Sequence, residues 1–228
     1  MIRIGLLGKN GFIGSNVLEI LGRQFFVVAE PKSCDVLVNC AGFSRMYEGN
    51  AFPMRMQAVE DTIWTRIREV EFRDLIHLST TYIDVYPNDI YSKIKIKMER
   101  RILSQYPDTC ILRLGGVIGK GLRKNVVYDL LHDKPLFVDQ NSVYNYISVA
   151  DIGQIIIKLL MNFKSGIFNV GAQNSISAVQ IASLLGKSPV YGSKKEFVNM
   201  DVSKLQAIHV TKTTEEYIKE FHQEYKNE

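Results

Sequence analysis

The chain is 228 residues long, 46% hydrophobic and 23% charged, with a formal net charge of +4. These are the proportions of an ordinary soluble globule that can bury one substantial core. The mild positive balance could favour an anionic ligand, but Lys and Arg are scattered rather than run together, which argues against nucleic acid as a partner.

Cys34, Cys40 and Cys110 are odd in number, form no CxxC and accompany four dispersed histidines (His77, His132, His209 and His222). That pattern predicts neither a disulfide framework nor a metal site. Cys40 lies in an apolar strand and Cys110 precedes one, as small core residues do. No secretory apolar segment precedes the first strand, and no uncharged run reaches about 18 residues; Lys158 interrupts the best candidate. The expectation is a cytosolic (cytoplasmic) protein with no membrane partner.

In chain order, the apolar run Ile2–Leu7 reads as a buried parallel strand and Phe12–Leu21 has helical spacing. Strands are predicted at 25–29 and 36–40, a helix at 54–69, a strand at 75–78, a helix at 90–103 and a strand at 109–114. Beyond Gly115-Gly116 follow a helix near 125–132, short strands around 136–138 and 144–147, and a helix over 149–161. A strand at 167–170, a helix at 178–185 and a charged amphipathic helix from Thr213 to Tyr225 complete the chain. Thr213 or Thr214 can cap the last of these. Short strands alternating with helices predict an α/β fold with a doubly wound, Rossmann-like parallel sheet. We expect one compact domain over 1–228, with a dinucleotide-binding core at about 1–114. Residues 115–228 would complete that core and form a small C-terminal substrate lobe.

The dinucleotide expectation comes from Gly8-Lys9-Asn10-Gly11-Phe12-Ile13-Gly14 between the first strand and the first helix. Glycine tolerates positive φ and lets backbone approach a diphosphate, and the helix N-terminus offers free N–H groups and partial positive charge. Gly8, Asn10, Gly11, Phe12, Ile13 and Gly14 are therefore candidate cofactor contacts. Glu30, ending the second strand, could bind the adenosine ribose, whereas Lys32 and Ser33 would suit a 2′-phosphate; NAD and NADP both stay open. One spacing is awkward. If strands 25–29 and 36–40 flank the first strand, about six residues must make a crossover that ordinarily takes at least ten to twelve. That predicts an irregular second strand or a rearranged sheet.

Tyr91 and Lys95 stand at i and i+4 at the start of a helix, so an ammonium can lie beside a phenol and lower its pKa. Such a phenol can act as general acid or base. A second YxxxK, Tyr191 to Lys195, follows Pro189 and contains Gly192, and is not expected to be helical. Strand 75–78 ends in Ser79-Thr80-Thr81, at the carboxyl edge where open α/β sheets bind ligands.

These residues in this order resemble the extended short-chain dehydrogenase/reductases, NAD-dependent enzymes that epimerise, dehydrate or reduce nucleotide-linked sugars. Gly8 to Gly14 matches the family's GxxGxxG, and Val36–Gly42 resembles the strand whose end lies against the cofactor, adding Ala41 and Gly42 to the candidates. Leu112-Arg113-Leu114 with Gly119, Tyr144–Asp151, Phe168-Asn169-Val170-Gly171 and Asp201–Leu205 resemble later family motifs. The resemblance implies acid–base work by Tyr91, ribose contact by Lys95 and substrate hydrogen bonding by Thr80 or Thr81, of which Thr80 is preferred. It also implies a nucleotide-sugar substrate and a homodimer through helices including 90–103. Tyr144 stands where the family commonly has a diphosphate-binding arginine, and Asn125 would be a substrate contact or an ordinary helix cap. The alternative to an NAD(P)-dependent sugar epimerase or reductase is a dinucleotide-sensing regulator on the same fold.

Overall fold

The computed structural model describes residues 2–227. Strands are β1 (Arg3–Leu7), β2 (Phe26–Ala29), β3 (Val36–Asn39), β4 (Asp74–Thr80), β5 (Cys110–Leu114), β6 (Gly116–Ile118), β7 (Val143–Tyr144), β8 (Tyr146–Ser148), β9 (Gly166–Val170) and β10 (Ile176–Ser177). Helices are α1 (Phe12–Gly22), α2 (Met46–Ala51), α3 (Pro53–Arg68), α4 (Tyr82–Val85), α5 (Ile90–Gln105), α6 (Val126–Leu131), α7 (Val149–Met161), α8 (Ala178–Leu184), α9 (Ser203–Gln206) and α10 (Thr214–Lys226).

Among the described residues, six strands form one sheet in the order β2-β1-β3-β4-β5-β9. The pairings β1–β2, β1–β3 and β3–β4 are parallel, as the doubly wound reading requires. The sheet strands are mostly apolar because helices cover them; β3 is buried at every position. Leu7, Leu37 and Leu75 from the sheet pack with Ile63 and Ile67 of α3 and Met98 and Ile102 of α5.

The short connection between β2 and β3 has a simple solution. Register puts Ala29 opposite Leu6 and Val36 opposite Ile4, so the chain backs up by only two residues while crossing β1. That is about 7 Å along the strands and about 10 Å across them, within the roughly 20 Å that residues 30–35 can span. The strip runs over Gly5, where a Cβ would come within 2.5 Å of Pro31 Cγ and 2.6 Å of Cys34 Sγ. Its backbone is tied down by Asp35 N–H donating to Arg3 O (2.8 Å) and Cys34 N–H donating to Glu71 O (2.8 Å). The anticipated irregular strand or rearranged sheet is therefore corrected: a side-chain-free position on β1 lets an extended segment do what a helix usually does.

The chain divides into two compact units, Met1–Arg113 with Gly153–Phe168, and Leu114–Ile152 with Asn169–Glu228. Within the second, β6 pairs with β8, β7 pairs with β10, and Tyr146, Ile147, Ile181, Leu205, Tyr217 and Ile218 are buried. Thr213 caps α10 with a reciprocal bond to Glu216. Two expectations are corrected here. The predicted strand at 136–138 reduces to one bridge, Val138 to Lys194. The predicted strand at 144–147 is broken at Asn145, because its side chain accepts from Ala172 N–H (2.7 Å) and donates to Asn174 O (2.9 Å). Those bonds hold it out of a continuous ladder.

His77, on β4, is buried and faces Asn39 across the register, with Nδ1 accepting from Asn39 Nδ2 at 2.9 Å. Burial, aided by the Lys95 charge, depresses its pKa to about 3. The unfolded chain takes up that proton near pH 6.5, so His77 contributes stability above that pH which is lost as pH falls toward 3. We expect stability to decline on acidification by up to about 1.4 kcal/mol per pH unit from this residue. Denaturant midpoints across that range should show a shallower slope for His77→Gln; an unchanged slope would refute the assignment.

Candidate active site

Three glycines build the first turn for different reasons. Gly8 has φ +86°, and a Cβ on it would come within 2.5 Å of Ala41 N. A Cβ on Gly14 would overlap the Gly8 carbonyl oxygen, so these two are fixed by how tightly strand, turn and helix pack. Gly11 meets only Gly8 O, at an ordinary 3.4 Å, and is exposed. Its missing side chain thus leaves room on the outer face of the turn. No side chain caps α1 and no acidic residue occupies its first turn, which suits an anion at that end. The turn lies at the switch point where β2 and β3 leave β1 on opposite sides.

Glu30 has φ +55° at the end of β2, and its carboxylate is paired with the Arg66 guanidinium of α3. A groove of about 560 Å³ beside it is lined by residues including Leu7, Lys32 and Ser33. A ribose hydroxyl bound by Glu30 would share the carboxylate with Arg66. Ala41 and Gly42 sit at the end of β3, braced by Asn39, whose side chain bonds both Ala41 N–H and Ala41 O at 3.2 Å.

Thr80, Tyr91 and Lys95 come together at the same edge. Asp89 in extended conformation precedes α5, and Asn50 Oδ1 accepts the Tyr91 N–H at 2.9 Å while Asn50 Nδ2 donates to Asp89 at 3.1 Å. The helix places Tyr91 and Lys95 one turn apart, with Lys95 Nζ 5.9 Å from the Tyr91 ring centroid. Thr80 ends β4; its Oγ1 accepts the Tyr82 N–H at 3.2 Å, and the residue is near enough to the Tyr91 phenol to pull its pKa down. Ser79 is committed elsewhere, donating to buried Glu99 at 2.6 Å. Thr81 is buried, and its hydroxyl has no hydrogen-bond partner among the described residues.

Tyr91 is 4% exposed and donates to the Phe43 carbonyl at 3.2 Å. Burial raises its pKa, outweighing the lowering by Lys95 and Thr80, while Glu60 adds to the rise. The sequence-based expectation that Lys95 lowers the phenol's pKa therefore holds for its direction of pull but not for the sum. Lys95 is itself buried, and its ammonium bonds Glu60 Oε1 at 2.6 Å. Burial alone would lower the pKa of Lys95, but Glu60 and Tyr91 together hold it above the ordinary value.

Two features escaped the sequence reading. Helix α2 packs on Tyr91 so closely that a Cβ on Gly49 would lie 2.8 Å from Tyr91 Cδ2. Glu60 is buried on the inner face of α3 with Met56, Ile63 and Ile67. An acid at a core position of an otherwise apolar helical period was the available signal.

Other candidates have structural work. Asn125, at φ +117°, caps α6 by accepting the Tyr128 N–H at 3.0 Å. Tyr144 donates to the buried Glu196 carboxylate at 2.9 Å, and Lys194 bonds the same carboxylate at 2.5 Å. Tyr191 and Lys195 lie outside any helix. Burial raises the thiols of Cys34 to about 11 and of Cys40 and Cys110 to about 12, which leaves them unreactive. Among the described residues no helix is long and apolar enough to cross a membrane.

No protein-family profile matches the sequence, and no curated protein matches it. Solved structures do. RMD from Pseudomonas aeruginosa, complexed with NADPH, aligns over 100% of this chain and 99% of its own, with TM-score 0.82 and 13% identity. UDP-glucuronic acid 4-epimerase from Bacillus cereus, in complex with UDP-glucuronic acid and NAD, aligns over 99% of each chain, with TM-score 0.80 and 17% identity. TunA, an NAD-dependent NDP-hexosamine 5,6-dehydratase involved in tunicamycin biosynthesis, aligns over 100% and 99%, with TM-score 0.82 and 15% identity. At such identities the likeness is one of architecture: the chain shares the Rossmann-like α/β fold of these structures.

Proposed function

We propose that this chain is an NAD(P)-dependent enzyme that reduces or epimerises a sugar, with a nucleotide-linked sugar as the favoured substrate class. The observation that carries the reading is the convergence of Thr80, Tyr91 and Lys95 beside the glycine turn, within one compact unit. Support comes from the bound NAD, NADPH and UDP-sugar named for proteins of the same fold. The residues fit a dinucleotide. The uncapped α1 end and the open face of Gly11 suit its diphosphate, and Lys95 suits the ribose next to the nicotinamide.

The bound dinucleotide would give or take the hydride. Tyr91 would exchange a proton with the sugar oxygen, the Thr80 hydroxyl would orient that oxygen, and the Lys95 ammonium would favour the phenolate. The Tyr91 hydroxyl donates to the Phe43 carbonyl, so a substrate oxygen that takes its proton must displace that carbonyl. The homodimer implied by the resemblance would use an α5 surface that carries Lys93, Lys97 and Arg100.

The enclosure of Tyr91 favours a second reading, a dinucleotide sensor in which the phenol only packs. The two separate on one set of assays of the purified chain with nucleotide-linked sugars: consumption of NADH or NADPH for reduction of a keto-sugar, and chromatographic appearance of the epimer for epimerisation, which returns its hydride and consumes no dinucleotide. Turnover supports the enzyme. Dinucleotide binding with no turnover of any such sugar leaves the sensor.

A further inference from the structure

Glu60 links the two groups on which the proposed chemistry depends. Its side chain is buried, and Oε1 accepts both the Lys95 ammonium (2.6 Å) and the Phe43 N–H (2.9 Å). Its other oxygen, Oε2, is enclosed and has no hydrogen-bond partner among the described residues. A carboxyl oxygen held from water without a partner is costly, and such an atom is explained most simply by a donor that arrives with a ligand. Gly42 lies directly against the pair: a Cβ there would stand 3.0 Å from Lys95 Nζ and 4.0 Å from Glu60 Oε1. Gly42 therefore puts no side chain of its own against these charges.

An ammonium with spare protons beside a carboxylate with a spare oxygen complements a vicinal diol. One hydroxyl can donate to Oε2 while its neighbour accepts from Nζ. We propose that Glu60 is a cofactor-positioning residue, which with Lys95 clamps the two hydroxyls of the ribose next to the nicotinamide once the Phe43 peptide moves aside. The inference rests on the dinucleotide reading above. It adds to that reading a recognition element and a role for the Phe43 peptide. Until a diol arrives, the same carboxylate holds the Phe43 N–H, and the Phe43 carbonyl holds the Tyr91 hydroxyl. A sugar substrate also offers vicinal hydroxyls, so the test must separate the two sources.

ADP and ADP-ribose differ by the ribose in question. Calorimetric titration of the parent should show tighter binding of ADP-ribose. Glu60→Gln should leave ADP affinity within about twofold and remove about tenfold of the advantage of ADP-ribose. Glu60→Asp, which keeps the charge on a shorter stem, should recover part of it. If Glu60→Gln does not fold, Glu60→Asp carries the comparison, with a selective loss for ADP-ribose expected. Equal weakening of both ligands would reduce Glu60 to a structural role and overturn the proposal. So would an unchanged preference for ADP-ribose, or a loss confined to a UDP-sugar. A parent that binds ADP and ADP-ribose equally overturns the clamp alone, whereas a parent that binds neither removes the dinucleotide reading with it.

Discussion

Tyr91→Phe should lower turnover by roughly a hundredfold to ten-thousandfold, the usual worth of a positioned acid or base, with dinucleotide affinity within about twofold of the parent. The phenyl ring keeps the packing that fixes this position: the Gly49 contact and the edge-on contact with Tyr82, whose centroid is 6.3 Å away at 88°. What is lost is the hydroxyl, with its bond to the Phe43 carbonyl. The glycine turn and Lys95 are untouched, so binding and chemistry should part company. Steady-state kcat alongside calorimetric Kd for parent and variant decides the matter. A variant retaining turnover within about threefold of the parent would remove Tyr91 from the chemistry, whatever the fold.

Arg113→Met should destabilise the protein by about 3–5 kcal/mol, because it strands a buried carboxylate. Glu99 is 3% exposed and receives Arg113 Nη2 at 2.6 Å and Nε at 3.1 Å, with Ser79 donating at 2.6 Å. Arg113 also reaches Asp84 at 2.8 Å, so the network ties β5 to β4, α4 and α5. Ser79 precedes Thr80, and Glu99 lies one helical turn beyond Lys95. The pair therefore fixes the frame on which the three site residues stand. Removing both charges, as in Arg113→Met with Glu99→Leu, should recover most of the loss, since an apolar pair carries no desolvation cost. Denaturant midpoints at unchanged slope would measure it. A single variant within about 1 kcal/mol of the parent would mean that Glu99 finds water or another partner.

The site was legible where local rules act within a few residues. GxxGxxG after an apolar strand specifies a turn whose Gly8 and Gly14 no other residue could replace, and Tyr91 and Lys95 share a helix face by periodicity alone. The Ser79-Thr80-Thr81 end of β4 was visible, and the structure separates its members: Ser79 turns to Glu99 and Thr80 to Tyr91. Glu60 was hidden because its partners come from β3 and α5, distant in sequence. Helix α2 was missed because Met46–Ala51 is too short to show a period.

By itself the sequence determined the main alternation of strands and helices from β1 to β5, the parallel sheet and the placement of the glycine turn, since hydrophobic period and glycine stereochemistry are local. Only the tertiary structure decided how residues 30–35 cross β1, because that depends on strand register and on the space over Gly5. It alone decided the protonation balance at Tyr91 as well. Burial under α2 and the Glu60 charge come from chain segments folded against α5, and together they outweigh the lysine that the spacing had placed beside it.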